Sequence, residues 1–384
     1  MCGAGATRML GGPAGGAGDG GTDVGGRTVV APMSGSVPRD RYRDLVVREA
    51  GPDDEAALTA LHDASPDGGA VGFRVHHHAP PGTGEPSVHR RVVDVVAEVP
   101  GLGAVGSARL SVGMISVAGE PRPYALLSSL VVHPDHRRRG VAAALARWRL
   151  DRADEVAGPR AVVLANVQQG NDASRANASR WADGWTGPAV SAPLTMLRRP
   201  PRATRFTVRD ATLADASAVA AGHAGFTADH AFAHLWSASS LGDWLAGAPV
   251  HRYRVAVDAG GAVVAGAALR DEALLRTMEV TRMPTGIVLA NLVLRAVPAD
   301  RRLRNVVVHH LWFAPGHLDA AAALLAATRW DWRDRGTHLL VALDRRSPAL
   351  PALGLRPWTP TTRSSTAVHA APPVVLSGPV EPVL

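Results

Sequence analysis

Lysine is absent: all 41 basic residues are arginine, and with 34 acidic residues the formal net charge is +7. In a chain this rich in alanine, arginine and glycine, the missing lysine reads as a GC-rich coding bias, so the basic balance is a weak sign of nucleic-acid binding. No helix-turn-helix pattern and no stacking aromatics interleaved with the arginines stand beside it. Cysteine is nearly absent too. Cys2 alone excludes a disulfide framework and a cysteine-based metal site within one chain, and it fits a reducing cytoplasm. No apolar run approaches the roughly 20 residues that span a bilayer, and the Gly-rich first 40 residues hold no signal-peptide core. The expected protein is cytoplasmic, with neither nucleic acid nor membrane as partner.

What is present suits a folded protein of some size. At 384 residues, 46% hydrophobic and 20% charged, the chain has apolar material for a large core and the length of two domains. Its most informative stretch is Leu130–Leu150, an apolar run, a proline-led turn with three arginines and a glycine, then a helical pattern. The first N–H groups of a helix have no partner within it and stand at the positive end of its dipole. With Pro134 ending the strand, Arg137, Arg138 and Arg139 supplying guanidinium forks, and Gly140 and Ala142 leaving room for a close approach, this order of parts describes an anion-binding turn.

Pro134-x-x-Arg137-x-x-Gly140-Val141-Ala142 resembles the acyl-CoA pyrophosphate loop of the GNAT superfamily of N-acetyltransferases, in which Gln or Arg, two residues, Gly, one residue, and Gly or Ala follow a strand. The resemblance extends over about residues 44 to 199. It implies acetyl-CoA as cosubstrate, held by Val131, Val132, Arg137, Arg138, Arg139, Gly140, Val141 and Ala142. It implies pantetheine contacts from Asn171 and Ser174, which resemble the family's Asn-x-x-Ala, and it matches Gly184-Trp185 to the family's Gly-Phe helix end.

Read along the chain, Asp44 to Arg48 forms a strand, and Pro52 with the acids after it opens a helix carrying Ala57, Leu58 and Leu61. Residues 64 to 90, with His76, His77 and His78, read as a long solvated loop; adjacent side chains of an extended segment cannot converge on one ion, so no metal is expected. Strands follow at Val92–Val99, Ala104–Val117 and Tyr124–Val132, then an amphipathic helix with Val141, Leu145 and Trp148 on one side. A strand at Ala161–Ala165 and a helix containing Trp181 close the first half.

Phe206-Thr-Val-Arg-Asp-Ala-Thr-Leu-Ala-Asp-Ala then restarts the pattern of Leu45-Val-Val-Arg-Glu-Ala-Gly-Pro-Asp-Asp-Glu, an internal repeat. Expected in this half are a helical stretch over Thr227–Leu245, strands at Tyr253–Val257, Ala262–Leu269, Asn305–Phe313 and Leu339–Leu343, an inserted helix at 286–296, and a helix at Leu318–Arg333. Its counterpart of the arginine turn is Ala314-Pro-Gly-His-Leu-Asp-Ala-Ala. Asp319 there satisfies the helix dipole itself and would repel a pyrophosphate, so this half is expected to be a non-catalytic partner.

The expected fold is α/β: two tandem GNAT-like domains, each a mixed, mostly antiparallel sheet flanked by helices. The divisions are a disordered segment 1–43, a cofactor-binding domain 44–199, a linker 200–205, a degenerate domain 206–371 and a tail 372–384. The expected reaction is direct attack of an amine, a small molecule by preference, on the acetyl thioester in a ternary complex. Glu98 is the candidate base and Ser128 or Ser129 a water-ordering hydroxyl. The resemblance implies a Tyr acid on the last helix, where this chain has Trp181. A catalytically silent acyl-CoA binder is the alternative.

Overall fold

Glycine and proline punctuate the chain, and the apolar periodicity between them sets the elements. The computed structural model describes residues 42, 44–65, 71–79, 89–117, 119–197, 199, 204–374, 376 and 378–382. The first half runs β1 (Val46–Glu49), α1 (Glu55–Asp63), β2 (Gly72–His77), β3 (His89–Val99), β4 (Gly103–Val117), β5 (Glu120–Val132), α2 (Val141–Ala157), β6 (Val162–Gln168), α3 (Asp172–Ala178), β7 (Gly184–Trp185) and β8 (Ala189–Thr195). The second runs β9 (Thr207–Asp210), α4 (Ala216–Phe226), β10 (Ala233–His234), α5 (Ala238–Ala246), β11 (His251–Val257), β12 (Val263–Asp271), β13 (Arg276–Arg282), α6 (Thr285–Leu294), β14 (Arg302–Leu303), β15 (Asn305–Phe313), α7 (Leu318–Asp331), β16 (His338–Asp344) and β17 (Thr362–Ala370). The expected disordered segment 1–43, apart from Tyr42, and the linker, apart from Thr204 and Arg205, lie outside the described residues. Among the described residues no helix is long and apolar enough to cross a membrane.

Fourteen strands join in one sheet with the path β1-β3-β4-β5-β6-β17-β8-β16-β15-β12-β11-β9; β10 pairs with β4 and β7 with β17. The path reads as two copies placed end to end, each antiparallel except for one parallel pair, β5 with β6 and β15 with β16. The last strand of each copy is exchanged. β17, at the end of the second half, lies against β6 through Ala370↔Val162 to Ser364↔Gln168. β8, in the first half, lies against β16 through His338↔Thr195 to Asp344↔Ala189.

The repeat persists in side chains. Arg48 grips Asp54 through two hydrogen bonds of 2.7 and 2.9 Å, and Arg209 grips Asp215 six residues on through two of 2.8 and 2.7 Å. In each copy the same carboxylate also accepts the N–H three residues before it, from Gly51 or Thr212, which fixes the entry to α1 or α4. The hydrogen bond from Arg209 outweighs burial and lowers the Asp215 carboxyl from 3.8 to about 2. A depressed carboxylate stabilises the fold above its unfolded pKa and loses that contribution as pH falls through the folded one. Asp215→Asn is therefore expected to cost about 1 kcal/mol at pH 7, and the difference from the parent to fade between pH 4 and about 2, read as urea midpoints across that range.

α2 covers one face of the first copy, where Val141, Leu145 and Ala153 meet Val95, Ala97 and Leu110. Gly106 admits the start of this helix, since a Cβ there would stand 2.7 Å from Val141 Cγ1. α7 does the same in the second copy with Leu324 and Leu325 against Val306 and Leu339. A third cluster joins the copies: Ile115, Tyr124, Leu126 and Leu164 pack with Phe232, Val368 and Val380.

Four expectations change. Residues 72–77 of the expected loop form β2, whose Phe73 and Val75 pair with Val280 and Met278 of β13, a partner some two hundred residues away that local pattern does not reveal. β2, β13 and β14 make a small sheet that joins the halves. The helix before Trp181 stops at Ala178, because Gly184 and Trp185 are drawn into pairing with Val368 and Ala367. The stretch 227–237 is not helical: Phe232 has φ 63°, and His234 pairs with Ile115. The expected tail contributes Val380 to the core, where it bridges Ala231, and buries Glu381.

Candidate functional site

β5 and β6 pair over only three residues, Tyr124↔Val162, Ala125↔Val163 and Leu126↔Leu164, and then diverge. β6 stays in the sheet by pairing with β17 on its other side, so a cleft opens between the strands from Leu127 and Ala165 onward. Diverging strands leave backbone ladder groups facing the gap. Because the strands are parallel, Val132 and Gln168 end at the same rim. The arginine turn follows the first and Asn171 the second. The register between β4 and β5 slips between Ser107↔Val131 and Arg109↔Ser128, and Ser129 at this bulge has φ 51°.

Gly140 is the N-cap of α2 with φ 89°, a backbone state that glycine adopts without strain. It aims the first amides of α2, including those of Val141 and Ala142, at the rim. Arg137 donates from Nε to the Val132 carbonyl at 3.1 Å, which fixes the turn to the end of β5. Arg138 stands exposed with φ 61°. Arg139 donates to the Tyr42 hydroxyl at 2.9 Å, and the same hydroxyl lies 2.6 Å from His136 Nδ1. Asn171 caps α3, its Oδ1 accepting from Ser174 N at 3.0 Å. The turn residues and the Asn171–Ser174 pair thus share one rim.

Glu98 stands apart from them. It pairs with Ala104, beyond the Gly106↔Val132 pair, and its carboxylate is held by Arg48 at 3.0 Å. A group that sequence reasoning passed over lies closer to the bulge. Asp94 pairs with Arg109, which pairs with Ser128, and Asp94 and Arg109 form a two-bonded ion pair of 2.7 and 3.0 Å. Beside them His62 of α1 approaches Ser107 Oγ at 3.4 Å and packs edge-on to His77 of β2. Burial first, then the neighbouring His77 and Arg109, lower the His62 pKa below 6.5, so its imidazole is neutral at pH 7. Only the fold joins α1, β2 and β4 here. No spacing in the sequence marks His62.

Under the bulge, Arg149 of α2 is wholly buried and donates to the carbonyls of Leu145, Arg109 and Ser128 at 3.1, 3.2 and 3.1 Å. Burial alone lowers its pKa to about 10, which leaves it charged at neutral pH. It satisfies the carbonyls that the irregular ladder leaves over.

Residues 102–180, which hold the bulge, the turn, α2, β6 and α3, match the Acetyltransferase (GNAT) family. The first half is a GNAT domain. Solved structures similar to the whole chain include a tandem GNAT protein from the clavulanic acid biosynthesis pathway, at 16% identity and TM-score 0.51 over 86% of this chain and 99% of that one. A GCN5-related N-acetyltransferase from Sphaerobacter thermophilus matches at 13% identity and TM-score 0.52, over 88% and 98% of the two chains. Saccharomyces cerevisiae N-myristoyltransferase with bound myristoyl-CoA matches at 11% identity and TM-score 0.55, over 86% and 80%. No curated protein matches the sequence. At these identities the solved structures establish the fold, that of tandem GNAT acyltransferases.

The second GNAT-like copy keeps the cleft and loses the rim. β15 and β16 pair only from Asn305↔His338 to Val308↔Val341, and His310 has φ 54° at the bulge that Ser129 occupies in the first copy. Where the first copy has its arginine turn, Asp319 opens α7 and is paired with Arg205 at 2.7 Å. Residues of the chain's own C-terminal segment occupy this second cleft. A small cavity there is lined by His230, His309, His310, Asp344, Ser347 and Glu381.

Proposed function

We propose that the first half transfers an acetyl group from acetyl-CoA to the amine of a small-molecule acceptor, with the second half as a non-catalytic partner. The observation that carries this reading is the coincidence of the family match over 102–180 with a cleft whose rim carries the glycine-capped helix start and three arginines. The amides of Val141 and Ala142 and the guanidinium groups of Arg137, Arg138 and Arg139 would take the pyrophosphate. Pantetheine would lie along Val131 and Val132, across from Asn171 and Ser174, with the thioester toward Ser129.

The amine nitrogen attacks the thioester carbonyl carbon, the C–S bond breaks, and CoA leaves as its thiol with the proton that the nitrogen loses. A backbone N–H freed at the bulge polarises the carbonyl, and positioning supplies much of the acceleration. His62, neutral and beside the bulge on the β2 side, is better placed than Glu98 to accept the amine proton. His62→Gln is expected to lower kcat about 100-fold with the CoA affinity unchanged. In the parent, activity should fall as pH drops through the lowered His62 pKa, and the variant should lose that limb.

A panel of amines and acyl-CoAs of different chain length, read by thiol release, tests the reading: turnover of acetyl-CoA with an amine supports it, and preference for a longer acyl chain moves the donor. Trp181, where the family resemblance places an acidic tyrosine, favours a second reading in which the cleft binds acyl-CoA without turnover. Tight CoA binding with no thiol release from any amine would establish it.

A further inference from the structure

The densest group of imidazoles in the molecule lies in the second cleft, away from the residues assigned to acyl transfer. His310 at the β15 bulge and His223 of α4 converge on one oxygen of Glu381. His310 Nδ1 stands 2.7 Å and His223 Nε2 3.3 Å from Oε1, and the three ligand atoms lie within 4.8 Å of one another. The other carboxylate oxygen accepts the backbone N–H of His234 at 2.7 Å, which orients the group. The rings of His223 and His310 are 5.7 Å apart and nearly perpendicular, and that of His234 is 4.8 Å from His310.

A hydrogen-bonded anchor for the C-terminal segment would need no more than these contacts, yet three further histidines crowd the same place. His230 and His309 are more than nine-tenths buried and line the cavity with His310 and Glu381. Both ring nitrogens of His230, Nε2 of His309 and Nε2 of His234 find no partner among the described residues. Unpaired buried polar atoms are costly, and so many in one place point to something that the polypeptide does not supply.

We propose that His223, His310 and Glu381 bind a zinc-class divalent cation. Two imidazoles and a carboxylate suit zinc or cobalt, whose tetrahedral ligand atoms stand about 3.3 Å apart; here the two imidazole nitrogens stand 2.7 and 3.3 Å from the carboxylate oxygen, with all three atoms inside 4.8 Å, so a small inward shift closes the set. A water from the adjoining cavity, or the Nε2 of His234 that is partnerless among the described residues, would complete the set. The cation would take the place of the hydrogen bonds that the two imidazoles now make to the carboxylate. It would join α4, β15 and the C-terminal segment across the cleft that in the first copy is assigned to acyl-CoA. This site is independent of the transfer reaction.

The test uses untagged full-length protein stripped with EDTA and titrated with Co²⁺ and Zn²⁺ at neutral pH. One equivalent per chain is expected, with the visible absorption of tetrahedral cobalt. His310→Ala and Glu381→Gln should each weaken uptake about 100-fold or more, while replacing His76, His77 and His78 together by alanine should leave it unchanged. No stoichiometric uptake, or uptake that survives His310→Ala and Glu381→Gln, overturns the site. If those variants do not fold, the parent still decides. Zinc should protect the C-terminal residues from a serine carboxypeptidase, whose own activity needs no metal, relative to EDTA-stripped protein, and equal release with and without zinc refutes the proposal.

Discussion

Replacing Arg137 by glutamate together with Gly140 by aspartate is expected to weaken CoA binding by about three orders of magnitude or more, with the fold retained. The two changes act on different parts of the rim. Glutamate at 137 replaces a guanidinium with a like charge for the pyrophosphate. It also removes the bond to the Val132 carbonyl that fixes the turn. Aspartate at 140 places a side chain at φ 89°, which strains the backbone and turns the first amides of α2, and it adds a carboxylate at the dipole's positive end. A charge-assisted hydrogen bond contributes about 1.5–3 kcal/mol, so losing two or three and adding repulsion weakens affinity by at least 10³-fold, about 4 kcal/mol. The turn is exposed, and the core beneath it begins at Val141. Circular dichroism and melting temperature should therefore change little, and calorimetry with CoA reads the effect. Affinity equal to the parent's would remove the basis for placing the cofactor at this rim.

A chain ending at residue 199 is expected not to fold as a cooperative unit, although it contains every residue that matched the family. It would lack β17, so β6 would be unpaired on that side along its length, and β8 would have lost both β16 and β17. The apolar cluster of Leu126, Val162 and Leu164 would lose Phe232, Val368 and Val380, each worth roughly 1.5–3 kcal/mol when fully buried. That is a large part of the 5–15 kcal/mol that typically stabilises a domain. Urea unfolding of the fragment should be broad or absent. Co-expression with residues 200–384 should restore a soluble complex with a single transition. A well-folded, monomeric 1–199 fragment would show that the exchanged strand is dispensable.

These expectations mark how far the sequence could be read. The repeat was legible because Arg48 and Arg209, with the acids six residues later, perform the same local task in both copies. The glycine-capped turn was legible for the same reason: its chemistry is contained in nine consecutive residues. What local pattern cannot carry is partnership. β8 and β17 look alike as strands of their own halves, and only burial against the other half decides that they exchange. Phe73-Arg-Val-His, just before the end of the histidine run, has a strand's alternation, but its partner is β13. His62, and the group of His223, His310 and Glu381, are each assembled from distant segments. Trp181 falls outside α3 because pairing at Gly184 and Trp185 competes with the helix.

The exchange also sets an order of events during synthesis. When Gln168 leaves the ribosome, β6 has β5 on one side, but the strand that will cover its other side begins at Thr362 and does not yet exist. At 5–20 residues per second that strand appears about 10–40 s later. Throughout that interval this edge of the first half is open to any other extended chain, including its counterpart on a neighbouring ribosome. The yield of this protein in a cell should therefore depend on how fast the second half is translated.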